Sequence, residues 1–103
     1  MKKITIAGSE YTLRYTLKSL IVFRRLQEKS EVQDELANEA LMYYAILIAN
    51  NQETFKMPFD EFTNMEVYVL EDIREWYLNE QRINELLSGK QEEPDADGEK
   101  KNT

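Results

Sequence analysis

Polar and apolar side chains alternate over the first sixteen positions. Ile4 and Ile6 are separated by Thr5 and preceded by Lys3, and Tyr11, Leu13 and Tyr15 are separated by Thr12 and Arg14. A period of two belongs to a strand with one buried face, so residues 2–15 predict a β-hairpin. Gly8-Ser9 stands between the two runs, and a leading glycine supplies the positive φ of a two-residue type II′ turn. Two strands alone are marginal in water. The face carrying Ile4, Ile6, Leu13 and Tyr15 therefore has to pack on the helices that come after it in the chain.

From Thr16 onward the spacing becomes helical. Thr16 is placed to cap a helix over about 17–28, with Leu17, Leu20, Ile21 and Phe23 or Arg24 as its inner stripe. A second helix is predicted over about 33–50. Leu36, Ala40, Tyr43 and Leu47 form one stripe, and Ala37, Leu41, Tyr44 and Ile48 form another beside it. A helix apolar over so wide an arc is central in a bundle or covered by a partner. Asn50-Asn51 then stop it, since Asn tolerates turn conformations.

The next connector holds Phe55 and Phe59. Pro58 suits a first helical position, and Asp60 and Glu61 favour a helix N-terminus, so a short helix is expected over about 59–63. Asn64 is placed to cap a long last helix over about 65–87. Its inner stripe is Val69, Ile73, Trp76, Ile83 and Leu87, flanked by Leu70 and Tyr77. Residues 89–103 contain one apolar side chain, Ala96, among eight charges, and predict a disordered acidic tail. The expected fold is α+β and mostly α, with an N-terminal β-hairpin packed on a small bundle of three to four helices. Residues 1–88 form one folded domain in this reading.

Composition changes the picture mainly by exclusion. Thirteen basic against 20 acidic side chains give a net charge of −7. That balance disfavours nucleic acid and anionic membranes as partners, because both are held by Lys and Arg. Without Cys or His, the chain lacks a thiolate nucleophile, a zinc–sulfur site and the commonest general base. The longest apolar run, residues 40–49, is ten residues, about half of what a helical membrane span needs. The N-terminus does not build the apolar core of a signal peptide. A cytoplasmic, non-enzymatic protein without cofactor or metal is expected.

Two motifs bear on chemistry. Residues 93–98 place oxygen side chains at positions one, three and five and Gly98 at six, as a calcium loop does. The bidentate carboxylate at position twelve would fall past Thr103 and no exiting helix is predicted, so calcium binding is not expected. Asp60-Glu61 and Glu71-Asp72 are adjacent on helices and diverge by about 100°, which suits a solvated face better than paired acid–base work. The aromatic set carries more information. Six Tyr, four Phe and one Trp are many for so small a body, and aromatic residues dominate cores and interfaces alike. Tyr43 and Tyr44 point to different azimuths, and Phe55, Phe59 and Phe62 lie further along. These five are the candidate partner-binding residues.

The hairpin 4–15, the helix opening Leu17-Lys18-Ser19-Leu20, the run 43–51 and the connector 55–62 succeed one another in an order that resembles phage tail assembly chaperones over about residues 1–62. The chain departs from that pattern at Glu28-Lys29-Ser30-Glu31, which lacks a Gly-Lys-Pro-like turn, and in its longer last helix. The resemblance implies a non-enzymatic protein made with the tail genes of a long-tailed phage or prophage. It implies binding to the tape measure protein, which is kept soluble while tail-tube subunits polymerise around it, and absence from the finished tail. It also implies a tail-tube protein as a second partner through a frameshifted longer form, and leaves room for a homo-oligomer. The alternative expectation is a structural virion component, such as a tail-completion or connector subunit.

Overall fold

A computed structural model describes residues 1–30 and 34–88. Strands β1 (Lys2–Ile6) and β2 (Ser9–Leu13) form an antiparallel hairpin, followed by helices α1 (Leu17–Lys29), α2 (Glu35–Asn50), α3 (Phe59–Phe62) and α4 (Val67–Ser88). This is the expected α+β architecture, and each predicted element is present with its bounds shifted by at most two residues. The expected tail, the calcium-loop-like stretch 93–98 and residue 33, the expected start of the second helix, lie outside the described residues. By their internal contacts the residues fall into two compact units, Met1–Ile73 and a second from Arg74 onward.

In the first unit the hairpin buries Ile4, Ile6, Tyr11 and Leu13 on one face, and Tyr15 beyond it is half-buried. The turn differs from the expected one. Ile6 pairs with Ser9 and Ile4 with Tyr11, so the loop residues are Ala7 and Gly8, at φ 52° and 82°. Two positive φ values mark a type I′ turn, and Ala7 there carries about 1 kcal/mol of left-handed strain. A Gly8-Ser9 turn would pair Ile6 with Tyr11 and leave the same four side chains on the same face. The apolar pattern therefore cannot choose between the two registers.

The choice is made by the end of α2. The Asn51 side chain accepts from the Thr12 N–H at 2.9 Å and donates to the Thr12 carbonyl at 2.9 Å, taking both groups that β2 turns away from β1. In the other register those groups would face β1 instead. Asn51 also donates to the Leu47 carbonyl, and Asn50 donates to the carbonyls of Arg14 and Ile46. The asparagine pair ends the helix and also clamps the outer edge of the hairpin to it.

Helix α1 is turned relative to the stripe the sequence predicts. Thr16 caps it as expected, accepting from Ser19 N–H at 3.2 Å. Its inner face, however, is Ser19, fully buried, with Val22, Phe23 and Leu26 half-buried. The Ser19 hydroxyl lies 3.0 Å from Thr16 Oγ1 and donates to the Arg14 carbonyl, which fixes the rotation of the first turn. Leu17, Leu20 and Ile21 consequently stand outside, 72 %, 37 % and 39 % exposed.

Helix α1 packs along α2, and Gln27 donates to Asn38 across the pair at 3.1 Å. Asp34 caps α2, accepting from Ala37 N–H at 2.9 Å. Residues 41–47 are buried without a break, the central placement expected of a helix apolar all round. The chain then folds back through Phe55 to α3. After α3, Asn64 and Met65 continue a turn rather than capping a helix, and α4 begins at Val67. The α4 stripe is buried at Val69, Ile73 and Trp76, but the expected inner residues Ile83 and Leu87 are exposed, as are Leu78 and Leu86. Among the described residues no helix is long and apolar enough to cross a membrane.

Candidate functional site

The five candidate aromatic residues do not form an exposed surface. Tyr43, Tyr44, Phe55 and Phe62 are buried, and Phe59 is half-buried. Tyr44 is the hub. Its ring lies 5.6 Å from Phe55, 5.2 Å from Phe59 and 5.6 Å from Phe62, and Phe55 in turn stands edge-on to Tyr11 at 5.2 Å. These are the spacings at which edge-to-face rings attract. The connector 51–58 and α3 thus bring Phe55, Phe59 and Phe62 back onto Tyr44 of α2, with Phe55 also against Tyr11 of β2, and burying so many rings in a small body becomes possible because they bury one another. Tyr43 instead turns its hydroxyl to Glu39, donating at 2.6 Å. Of these five, only Phe59 keeps part of its ring open to a partner.

The Tyr44 hydroxyl donates to the Met57 carbonyl at 2.6 Å, and burial pushes its ionisation above the ordinary phenol value. A folded state that holds its proton more tightly than the unfolded chain loses stability as pH rises above about 10, where the unfolded phenol ionises. Tyr44→Phe should lower stability at pH 7 by about 1 kcal/mol through the lost hydrogen bond. It should also flatten the alkaline decline, so the gap between the two proteins narrows above about pH 10. Equal alkaline slopes in denaturant unfolding would contradict this placement of the hydroxyl.

A surface feature of another kind lies within the first unit. A groove of about 290 Å³ opens between the start of α2 and the α3–α4 turn, walled by Leu36, Ala37 and Ala40 on one side and by Phe62, Met65, Val67, Val69 and Leu70 on the other. It exists because α2 presents two small residues, Ala37 and Ala40, just before its continuous buried run. Leu36 and Val67 stand on the rim, 55 % and 68 % exposed. The charged residues lining it are Asp34 and Glu66, both carboxylates.

Only Phe62 of the five sequence candidates reaches the groove, as part of its floor. The groove's own signal in the sequence is the apolar arc of the second helix, which is wider than one small bundle covers. The carboxylate pairs Asp60-Glu61 and Glu71-Asp72 are exposed, as a solvated face requires. Among the described residues no group of three or more metal-ligating side chains converges. What the site can do is hold an apolar helix face and favour positive charge at its edges. Comparison with protein-family models, with curated proteins and with solved structures finds no match.

Proposed function

We propose that this chain is a non-enzymatic tail assembly chaperone of a long-tailed phage or prophage. It binds the tape measure protein in the host cytoplasm and keeps it soluble while the tail tube assembles. A longer frameshifted form is the proposed link to the tail-tube protein.

The observation that carries this reading is the acid-edged apolar groove. A tape measure protein is a long helical chain with apolar faces to hide, and a groove of this kind accepts an amphipathic helix through anchors spaced three and four residues apart. The overall charge of −7 keeps such a complex in solution by mutual repulsion. The reading also rests on the resemblance of residues 1–62 to the chaperone family.

Rim variants test it. Leu36→Ser and Val67→Ser alter exposed side chains, so folding should be unaffected while recovery of the co-expressed tape measure protein falls several-fold. Because the contact is largely apolar, recovery by the unaltered chain should survive about 0.5 M salt, where exposed charges are screened within a few ångströms. Full recovery by both variants would count against the groove. Stoichiometric retention of the chain in purified tails would favour a structural virion component instead.

A further inference from the structure

The register of the hairpin leaves its two edges unequal. Lys3 pairs with Thr12 and Thr5 with Glu10, and in these pairs each residue turns its N–H and C=O away from the facing strand. On β2 the outward groups of Thr12 are taken by the Asn51 amide, which accepts from the one and donates to the other as a third strand would. On β1 the outward groups belong to Lys3 and Thr5, and no hydrogen bond from elsewhere among the described residues reaches them. The two-stranded sheet is capped along one side at Thr12 and open along the other.

Charge decides what suits the open edge. Seven cations and two carboxylates give residues 1–30 a net charge of +5, so the rest of the chain carries −12. All seven cations are exposed, and two of them, Lys2 and Lys3, stand on β1 itself. Lys3 has one partner, Glu10, in an exposed pair at 3.8 Å, and Lys2 has none among the described residues. Exposed pairs of this kind hold loosely. On the other face the buried row of Ile4 and Ile6 runs along the same edge.

We infer that β1 takes a third strand from a partner protein, an extended segment alternating acidic and apolar side chains. Four backbone groups, the N–H and C=O of Lys3 and Thr5, pair with it. Its acidic side chains lie beside Lys3 and Thr5, and its apolar ones continue the row of Ile4 and Ile6. A second copy is a poor occupant, since pairing β1 with β1 gathers four lysines in one short ladder, and edge lysines oppose such pairing. A membrane or a nucleic acid is larger than the edge and meets the −12 of the rest of the chain as well. A single strand meets the lysines alone.

The inference does not use the groove, so its failure leaves the proposed chaperone function standing. The probe is a short soluble peptide of alternating glutamate and valine, added to the full chain. The amide proton signals of Lys3 and Thr5 should move downfield as they become hydrogen-bonded, while that of Ile4, already paired with Tyr11, moves little. Methylating every second backbone nitrogen of the peptide should abolish binding in one frame and keep it in the other, because a strand pairs along one edge through alternate residues. A peptide docked as a helix would fail in both frames, and one held by charge alone would bind in both.

Thr5→Pro deletes an outward N–H that the hairpin does not use, at a position where an edge strand tolerates proline. The variant should melt with the parent and bind at least about tenfold more weakly. Lys2→Glu combined with Lys3→Glu should also lose about tenfold for the glutamate peptide and gain binding to its lysine counterpart, with no change to the backbone. Unmoved Lys3 and Thr5 signals at about 1 mM peptide would overturn the inference. So would equal behaviour of the two methylated frames, or a folded Thr5→Pro chain that binds as the parent does. A chain that self-associates without peptide and becomes monomeric with Thr5→Pro would overturn it too, by giving the edge to a second copy.

Discussion

Replacing Leu13 with alanine is expected to lower the unfolding free energy by about 2–4 kcal/mol, the range for truncating a large aliphatic side chain in a core. Leu13 has no exposed surface and sits at the end of β2 nearest α1. Removing its branched end leaves a cavity in the buried face of the hairpin. Small domains have only about 5–15 kcal/mol to lose, so the effect should be plain in denaturant unfolding followed by circular dichroism. A change under about half a kcal/mol would mean that the hairpin face is open to water, and the packing of the hairpin on the helices would be wrong.

Asn51→Ala should cost about 1–3 kcal/mol, because it strips three hydrogen bonds and leaves the partly buried Thr12 N–H and C=O without their protein partner. Asn51→Gly discriminates the cause. Glycine meets any demand of the turn at the end of α2 but makes no clamp, so it should be about as damaging as alanine. Asn51→Asp keeps an acceptor for Thr12 N–H and loses the donor, placing a carboxylate against two carbonyls, and should not rescue. A glycine variant as stable as the parent would reduce Asn51 to a turn residue.

The elements are legible in the sequence because their periods differ so clearly, two in the hairpin and 3.6 afterwards. The central place of α2 is legible for a similar reason, since no other position suits a helix apolar on every side. The hairpin turn is displaced by one residue from its expected place because both registers satisfy the same buried face. What separates them is a tertiary bond from Asn51, distant in the chain. The rotation of α1 escapes the hydrophobic pattern because Ser19, a polar residue, faces inward, held by Thr16 and the Arg14 carbonyl. Counting hydrophobic residues puts Leu17, Leu20 and Ile21 inside instead.

The candidate site is less legible, for a related reason. A surplus of aromatic residues reads as exposed surface only if each ring needs its own cover. Here Tyr11, Tyr44, Phe55, Phe59 and Phe62 cover one another. The groove depends on small residues, Ala37 and Ala40, facing Met65 and Val67, and absence of bulk is not a signal that periodicity records. On α4 the apolar stripe continues in sequence past Trp76, but nothing in the period says where burial along it stops.

Whether this chain keeps a tape measure protein in solution is tested most directly by the soluble fraction of that protein. Its gene is expressed with and without this chain, under otherwise identical conditions. The expected result is a partner recovered in the soluble fraction, bound to several copies of this chain, only when the two are made together. A partner that precipitates to the same extent in both cases would contradict the proposed role.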